Sequence, residues 1–169
     1  MALEAKQGVD VILLYRLLKE ETEKAAWKLA FQTEHEVGLS RDSNSSPTKD
    51  GAVQSLSQLE YDFSATSIAA KGDPHIKELK QALIKGELIE IWEIDKSEKG
   101  TAENSEKFAA TYFQGYLSSF SQTANSEDAM ELSLEFAING VGQEGFATLT
   151  TDQAEVVQYV FKDTVKATP

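Results

Sequence analysis

His35 and His75 are the only histidines in the 169 residues, and there is no cysteine. Without cysteine there is no thiolate nucleophile, no disulfide and no zinc–sulfur site. The two imidazoles could in principle form a catalytic pair. His35 falls on the apolar face of a strand-like stretch and His75 in the first turn of a predicted helix. Packed or surface histidines are therefore favoured over catalysts. No G-x-S-x-G and no H-E-x-x-H occurs. Asp95 to Glu106 imitates part of a calcium loop, with Asp95 as first ligand, Gly100 at the tight turn and Glu106 as the closing bidentate ligand. Lys99 stands where an oxygen ligand is needed, and strand patterns flank the stretch, so a solvated loop is the better reading. Gly140, Gly142 and Gly145 fit the spacing G-x-G-x-x-G. They follow an antiparallel-type strand and precede no helix, which makes a dinucleotide site weak. Arg41, Asp42, Lys49 and Asp50 bracket a polar stretch and could make charge-assisted contacts across a subunit boundary. An exposed loop of balanced charge explains them equally well, and spacing alone leaves the two level. No residue set points to a cofactor or a metal, and an enzyme is not expected.

Those residues sit in an acidic chain of 18.6 kDa, with 16 Lys and Arg against 28 Asp and Glu, a formal charge of −12. Specific binding to phosphates needs clustered cations, so nucleic-acid binding is not its main business. The 41% hydrophobic content suffices for one core, and the length suits a single domain over residues 1–169. The N-terminus lacks the basic-then-apolar order of a signal peptide. The apolar run Val9 to Leu18 is interrupted by Asp10 and Arg16 and is too short to span a bilayer.

The elements that must position these side chains are mostly strands. Val11, Leu13, Tyr15 and Leu17 alternate with Ile12 and Leu14, which suggests a strand buried on both faces, with a short helix as the alternative. Trp27 to Ala65 reads as a strand, a long polar loop from Arg41 to Gly51, and a second strand; so long a connection is not a tight hairpin. Gln58, Glu60 and Asp62 occupy the polar face of that second strand. Asp73-Pro74 opens a helix that Gly86 closes, with Ile76, Leu79 and Leu83 on one side and Lys77, Lys80 and Gln81 on the other. Glu87 to Asp95 and Phe108 to Phe120 are further strands. Met130 to Ile138 alternates apolar residues with Glu131, Ser133 and Glu135. Asn139-Gly140 ends it with a hairpin signal, and Phe146 to Leu149 returns. Thr150 and Gln153 match a capping box, after which 151–161 is acceptable as helix or strand. The sum is a mainly β domain, an antiparallel sandwich or barrel with one flanking α-helix.

Beyond pattern, the chain resembles the major tail protein (tail tube) family of bacteriophages with long non-contractile tails, in particular the lactococcal-phage type. WKLAFQTEHEVGLSRDS from Trp27, TKDG from Thr48, SATS from Ser64, GELIEIWEID from Gly86 and TYFQGYLSSF from Thr111 carry the resemblance. ANSEDAMELSLEFAING from Ala124, ATLT from Ala147 and VVQYVFKDT from Val156 complete it in order. It implies a virion protein, made in the host cytoplasm, whose six copies form a ring. Strands would run across subunit boundaries to close an inner barrel. Rings would stack into a tube through which DNA passes, bound to no specific site. Tape-measure and tail-terminator proteins would be its partners, with no membrane involved. The stretch from Arg41 to Gly51 would reach a neighbouring subunit or ring, and no catalytic residue or cofactor transfers. Some members carry a C-terminal immunoglobulin-like domain; with the last residue at Pro169, none is expected here. The Glu131/Glu135 face and the Gln58/Glu60/Asp62 face are both candidates to line the lumen, and pattern does not rank them. The competing expectation is a monomeric β-sandwich binding module that uses 41–51 for recognition.

Overall fold

The computed structural model describes residues 2–154 and 164–166. Among these residues there are eight strands: β1 (Val11–Leu17), β2 (Gln32–Ser40), β3 (Ser43–Thr48), β4 (Gly51–Leu56), β5 (Glu60–Ile68), β6 (Leu88–Lys99), β7 (Phe108–Thr123) and β8 (Glu131–Ala147). Helix α1 (Pro74–Lys85) joins β5 to β6, and a single turn, α2 (Thr151–Ala154), follows β8. Six strands make one antiparallel sheet in the order β1-β6-β7-β8-β5-β2, while β3 and β4 pair only with each other.

Alternation dictates which face is covered. Leu13, Tyr15, Ile89, Ile91, Phe63, Ala65, Phe113, Leu117, Leu132, Leu134 and Phe136 point into one buried core, which Leu79 and Ala82 of α1 complete. The opposite face of β1 and β6 is buried too, with Ile12, Leu14 and Ile94 forming a second, smaller cluster. The uninterrupted apolar run of β1 is thus a strand covered on both sides.

The two edge strands curl toward each other. Backbone bonds link Tyr15 and Trp27 in both directions (2.8 and 2.9 Å). The Gln32 carboxamide then does what a paired backbone would do: Leu13 N–H donates to its Oε1 (3.0 Å) and its Nε2 donates to the Leu13 carbonyl (2.7 Å). Capping an edge this way removes donors and acceptors that would otherwise invite uncontrolled pairing. The sandwich or barrel with one flanking helix is accordingly the observed class.

Several local expectations need correction. The first strand of the 27–65 stretch does not begin at Trp27, which makes only an isolated bridge with Tyr15. Phe31 adopts φ 53°, which breaks the extended run, and the strand proper starts at Gln32. Residues 41–51 are not a long loop. They form β3, a two-residue turn at Lys49 and Asp50, and the start of β4, with Gly51 at φ 116°. Both faces of this hairpin are exposed, so it lacks the apolar alternation that betrays a strand. β6 runs four residues beyond Asp95, to Lys99. Asn139-Gly140 is not a hairpin turn either, and Phe146 belongs to the same strand. β8 continues to Ala147, and residues 140–142 form a bulge between the pairs Gln114–Asn139 and Tyr112–Gln143. The glycines there serve shape: Gly140 has φ 62°, and a Cβ on Gly142 would lie 2.5 Å from the Phe113 ring.

Helix α1 forms as its ends dictate. The Asp73 side chain accepts from His75 N–H (3.0 Å), Pro74 opens the first turn, and Gly86 closes in the left-handed conformation. Such an N-cap contributes about 1 kcal/mol. The capping box also closes as expected: Thr150 N–H donates to Gln153 Oε1 and Gln153 N–H donates to Thr150 Oγ1. The question of helix or strand for 151–161 is answered as helix for 151–154; 155–161 lie outside the described residues.

Candidate functional site

Strand pairing brings the two sets of acidic candidates together. Ser64 lies opposite Glu135, and Phe63 opposite Phe136. Even-numbered residues of β5 therefore share a face with odd-numbered residues of β8. Glu36 pairs with Ser64, Gly38 with Asp62 and Ser40 with Glu60, so β2 extends the same face. Across β8, Glu135 meets Ser119 and Glu131 meets Thr123 of β7. The result is one surface bearing Glu34, Glu36, Glu60, Asp62, Glu131 and Glu135, all exposed, among serines and threonines. No lysine or arginine occurs anywhere in β2, β5, β7 or β8. Gln58 lies just before β5, in the connection from β4. Glu34 and Glu36 complete this face beyond the residues singled out from the sequence; their signal is the alternation with Thr33, His35, Val37 and Leu39.

The block β2-β5-β8-β7 has an open side at each end. Among the described residues β2 has one strand neighbour, β5. β7 pairs with β6 only from Phe108 to Tyr116, so among the described residues Leu117–Thr123 has β8 alone. A bulge between Leu117 and Ser119 shifts the register at the point where the second neighbour ends.

The four charged residues at the hairpin do not converge. Asp42 is at its base, where Ser57 N–H donates to the Asp42 carbonyl and Asp42 N–H donates to Ser57 Oγ (both 2.8 Å). Lys49 and Asp50 occupy the tip, six ladder pairs away, and Arg41 precedes the base. Val53 and Leu56 are exposed on the arm.

The histidines are also separate. His75 stacks on Trp27 (centroids 4.1 Å, planes 2° apart). His35 Nε2 lies 2.7 Å from Glu93 Oε2 in a groove of about 1090 Å³. The hydroxyls lining that groove are Thr33, which donates to the Thr66 carbonyl, and Thr111, which lies across the ladder from Glu93 and Glu144. Its cation, Lys6, is bound to Asp95 (3.1 Å) and Glu98 (2.7 Å). Acyl transfer needs a stabilised oxyanion as well as an activated nucleophile, and the surrounding carboxylates Glu34, Glu93, Asp95, Glu98 and Glu144 oppose a developing negative charge. Burial acts to raise the Asp95 carboxyl, but hydrogen bonds from Ser97 and Lys6 outweigh it and hold it below its ordinary value. Asp95 is thereby committed to Ser97 and Lys6, and among the described residues no group of His, Asp and Glu could hold a metal ion.

One buried charge has a structural role. Glu90 is 2% exposed and accepts from Arg16 Nε and Tyr112 Oη, each at 2.6 Å. The Arg16 guanidinium also lies 5.1 Å from the centre of the Trp92 ring. Burial, then the bond to Glu90, raises the Tyr112 phenol to about 12.

A six-stranded sheet with one helix, an exposed two-stranded arm, two open edges and a cation-free acidic face is the architecture of a structural building block. The profile of the phage tail tube protein family matches residues 5–144, and the chain belongs to that family. A protein of Staphylococcus phage phiMR25 with a tail-protein designation is 32% identical over 165 residues, spanning 96% of this chain and 84% of that one. The SPP1 tail tube subunit superposes with a TM-score of 0.78 at 18% identity, covering 94% of this chain and 91% of that one. The tail subunit of an empty gene transfer agent particle, solved with C6 symmetry, gives 0.58 at 13% identity, covering 85% and 100%.

Proposed function

We propose that the chain is the major tail tube protein of a phage with a long non-contractile tail of the lactococcal type, assembling as hexameric rings that stack into a DNA conduit. The observation that carries this reading is the single acidic face that β2, β5 and β8 build, which β7 extends without a cation. A ring of six would have a formal charge of about −72. With this face inward, DNA phosphates are repelled and slide rather than bind. The face then unites both lumen candidates, Glu60 and Asp62 with Glu131 and Glu135, and adds Glu34 and Glu36.

The open edges support ring closure. Three antiparallel steps separate β2 from β7, so β2 of one copy can extend β7 of the next as another antiparallel step. This heterologous contact closes a ring, and stacking the same ring makes an open filament. The β3–β4 arm is the element that reaches a neighbour, and tape-measure and terminator proteins are the expected tail partners. The C6 symmetry of the gene transfer agent tail is consistent with six copies.

Negative-stain microscopy with light scattering tests assembly. Rings or tubes are expected; a strict monomer at every concentration and salt overturns the proposal. Charge reversal at Glu60, Asp62, Glu131 and Glu135 is expected to slow DNA ejection, and unaltered ejection sinks the lumen assignment.

A further inference from the structure

We propose that the outer flank of α1 is the seat of the neighbouring copy, with Leu39 on that copy's β2 covering Ile84; this rests on the ring reading above. Leu39 is 59% exposed and Ile84 66%, two large aliphatic side chains left to water. Leu39 pairs with Tyr61, whose ring meets Phe113 edge-on in the main core. Leu39 therefore projects on the core side of the sheet, at the strand where the sheet stops. α1 lies on the same side, with Leu79 and Ala82 in that core, and it packs against β7. The two exposed residues thus belong to opposite ends of one four-stranded block, on the same side of it.

Strand direction sets them at one level. When β2 of a second copy extends β7 antiparallel, its C-terminal end, which holds Leu39, lies toward Leu117. The C-terminal end of α1, which holds Ile84, leads there too, because β6 begins at Leu88 opposite Tyr116. Head-to-tail contact then covers both residues at once, whereas a two-fold contact of either edge with itself leaves one of them in water.

The cysteine-free chain makes this directly testable. The double variant Leu39→Cys, Ile84→Cys, assembled and treated with a short bis-maleimide, is expected to give a covalent ladder ending at a closed ring. Each single variant alone should stay monomeric on a denaturing gel. A mixture of the two singles, doped into unmodified chain, should give dimers and nothing larger; this arm also serves if the double variant does not assemble. Tubes visible by microscopy without cross-linked species overturn the inference, as does efficient cross-linking within dilute monomer. If the unmodified chain forms no rings at all, the ring reading itself fails and this inference falls with it. As a second measurement, Ile84→Asp should melt as the parent does yet lose assembly, and normal tubes from it count against the proposal.

Discussion

Glu90 is the most confined charge among the described residues, and its surroundings decide what it tolerates. Arg16 neutralises it and Tyr112 fills a second acceptor site. Arg16→Ala leaves an uncompensated buried carboxylate and is expected to cost about 3 kcal/mol, measured by urea denaturation. Tyr112 makes a pH-dependent prediction. Its folded value, about 12, lies above the ordinary 10.0, so the native state holds the phenolic proton more tightly than the unfolded chain. Below pH 10 this adds no slope. Between pH 10 and 12 the unfolded state loses its proton first and stability falls. Tyr112→Phe should show a shallower alkaline loss than the parent over that window, and identical slopes would contradict the assignment. Nothing in the run ELIEIWEID distinguishes Glu90 from Glu93. Pairing with β1 and β7 does so, by setting Arg16 and Tyr112 beside the first and His35 against the second.

At the scale of elements, the strands that alternate over a core were legible, and so was α1, whose cap, proline and terminal glycine all lie in the sequence. The exposed arm was not, because pairing between two polar strands needs no apolar signal. The bulge was not, because Asn-Gly supplies the same positive φ to a turn and to an irregular strand. Gly115 tests the packing of that region: a Cβ there would lie 2.3 Å from the Ala137 carbonyl oxygen. Gly115→Ala is expected to destabilise by more than about 2 kcal/mol in thermal or chemical denaturation, since backbone rather than a mobile side chain must yield. The arm makes the converse prediction. Asp42 and Ser57 already bond across its base, so removing residues 43–56 and joining them should leave the domain's melting temperature nearly unchanged while tube growth is lost. Removing only 43–48 would strand β4 without its partner. Normal tubes from the longer deletion would refute the arm's role in assembly.

For the whole molecule, segregation of charge is the leading property. Acids occupy one face of three strands, β2, β5 and β8, which like the adjoining β7 contain no cation, while α1 presents lysines on the other side of the sheet. Composition announced an acidic protein; only topology could show that the strands near residues 36, 62 and 135 form one face, because they are distant in sequence and adjacent through β5. The same segregation has a practical reading. Trypsin cuts after lysine and arginine, and the chain has neither between Lys107 and Lys162. The long strands β7 and β8 are therefore invisible to it, whereas Lys49 stands at the exposed tip of the arm. Limited digestion of the free protein should nick first at Lys49, and the nick should disappear as tubes form. Equal cutting before and after assembly would mean that the arm stays free. Each copy thus reports, through one peptide bond, whether it has been built in.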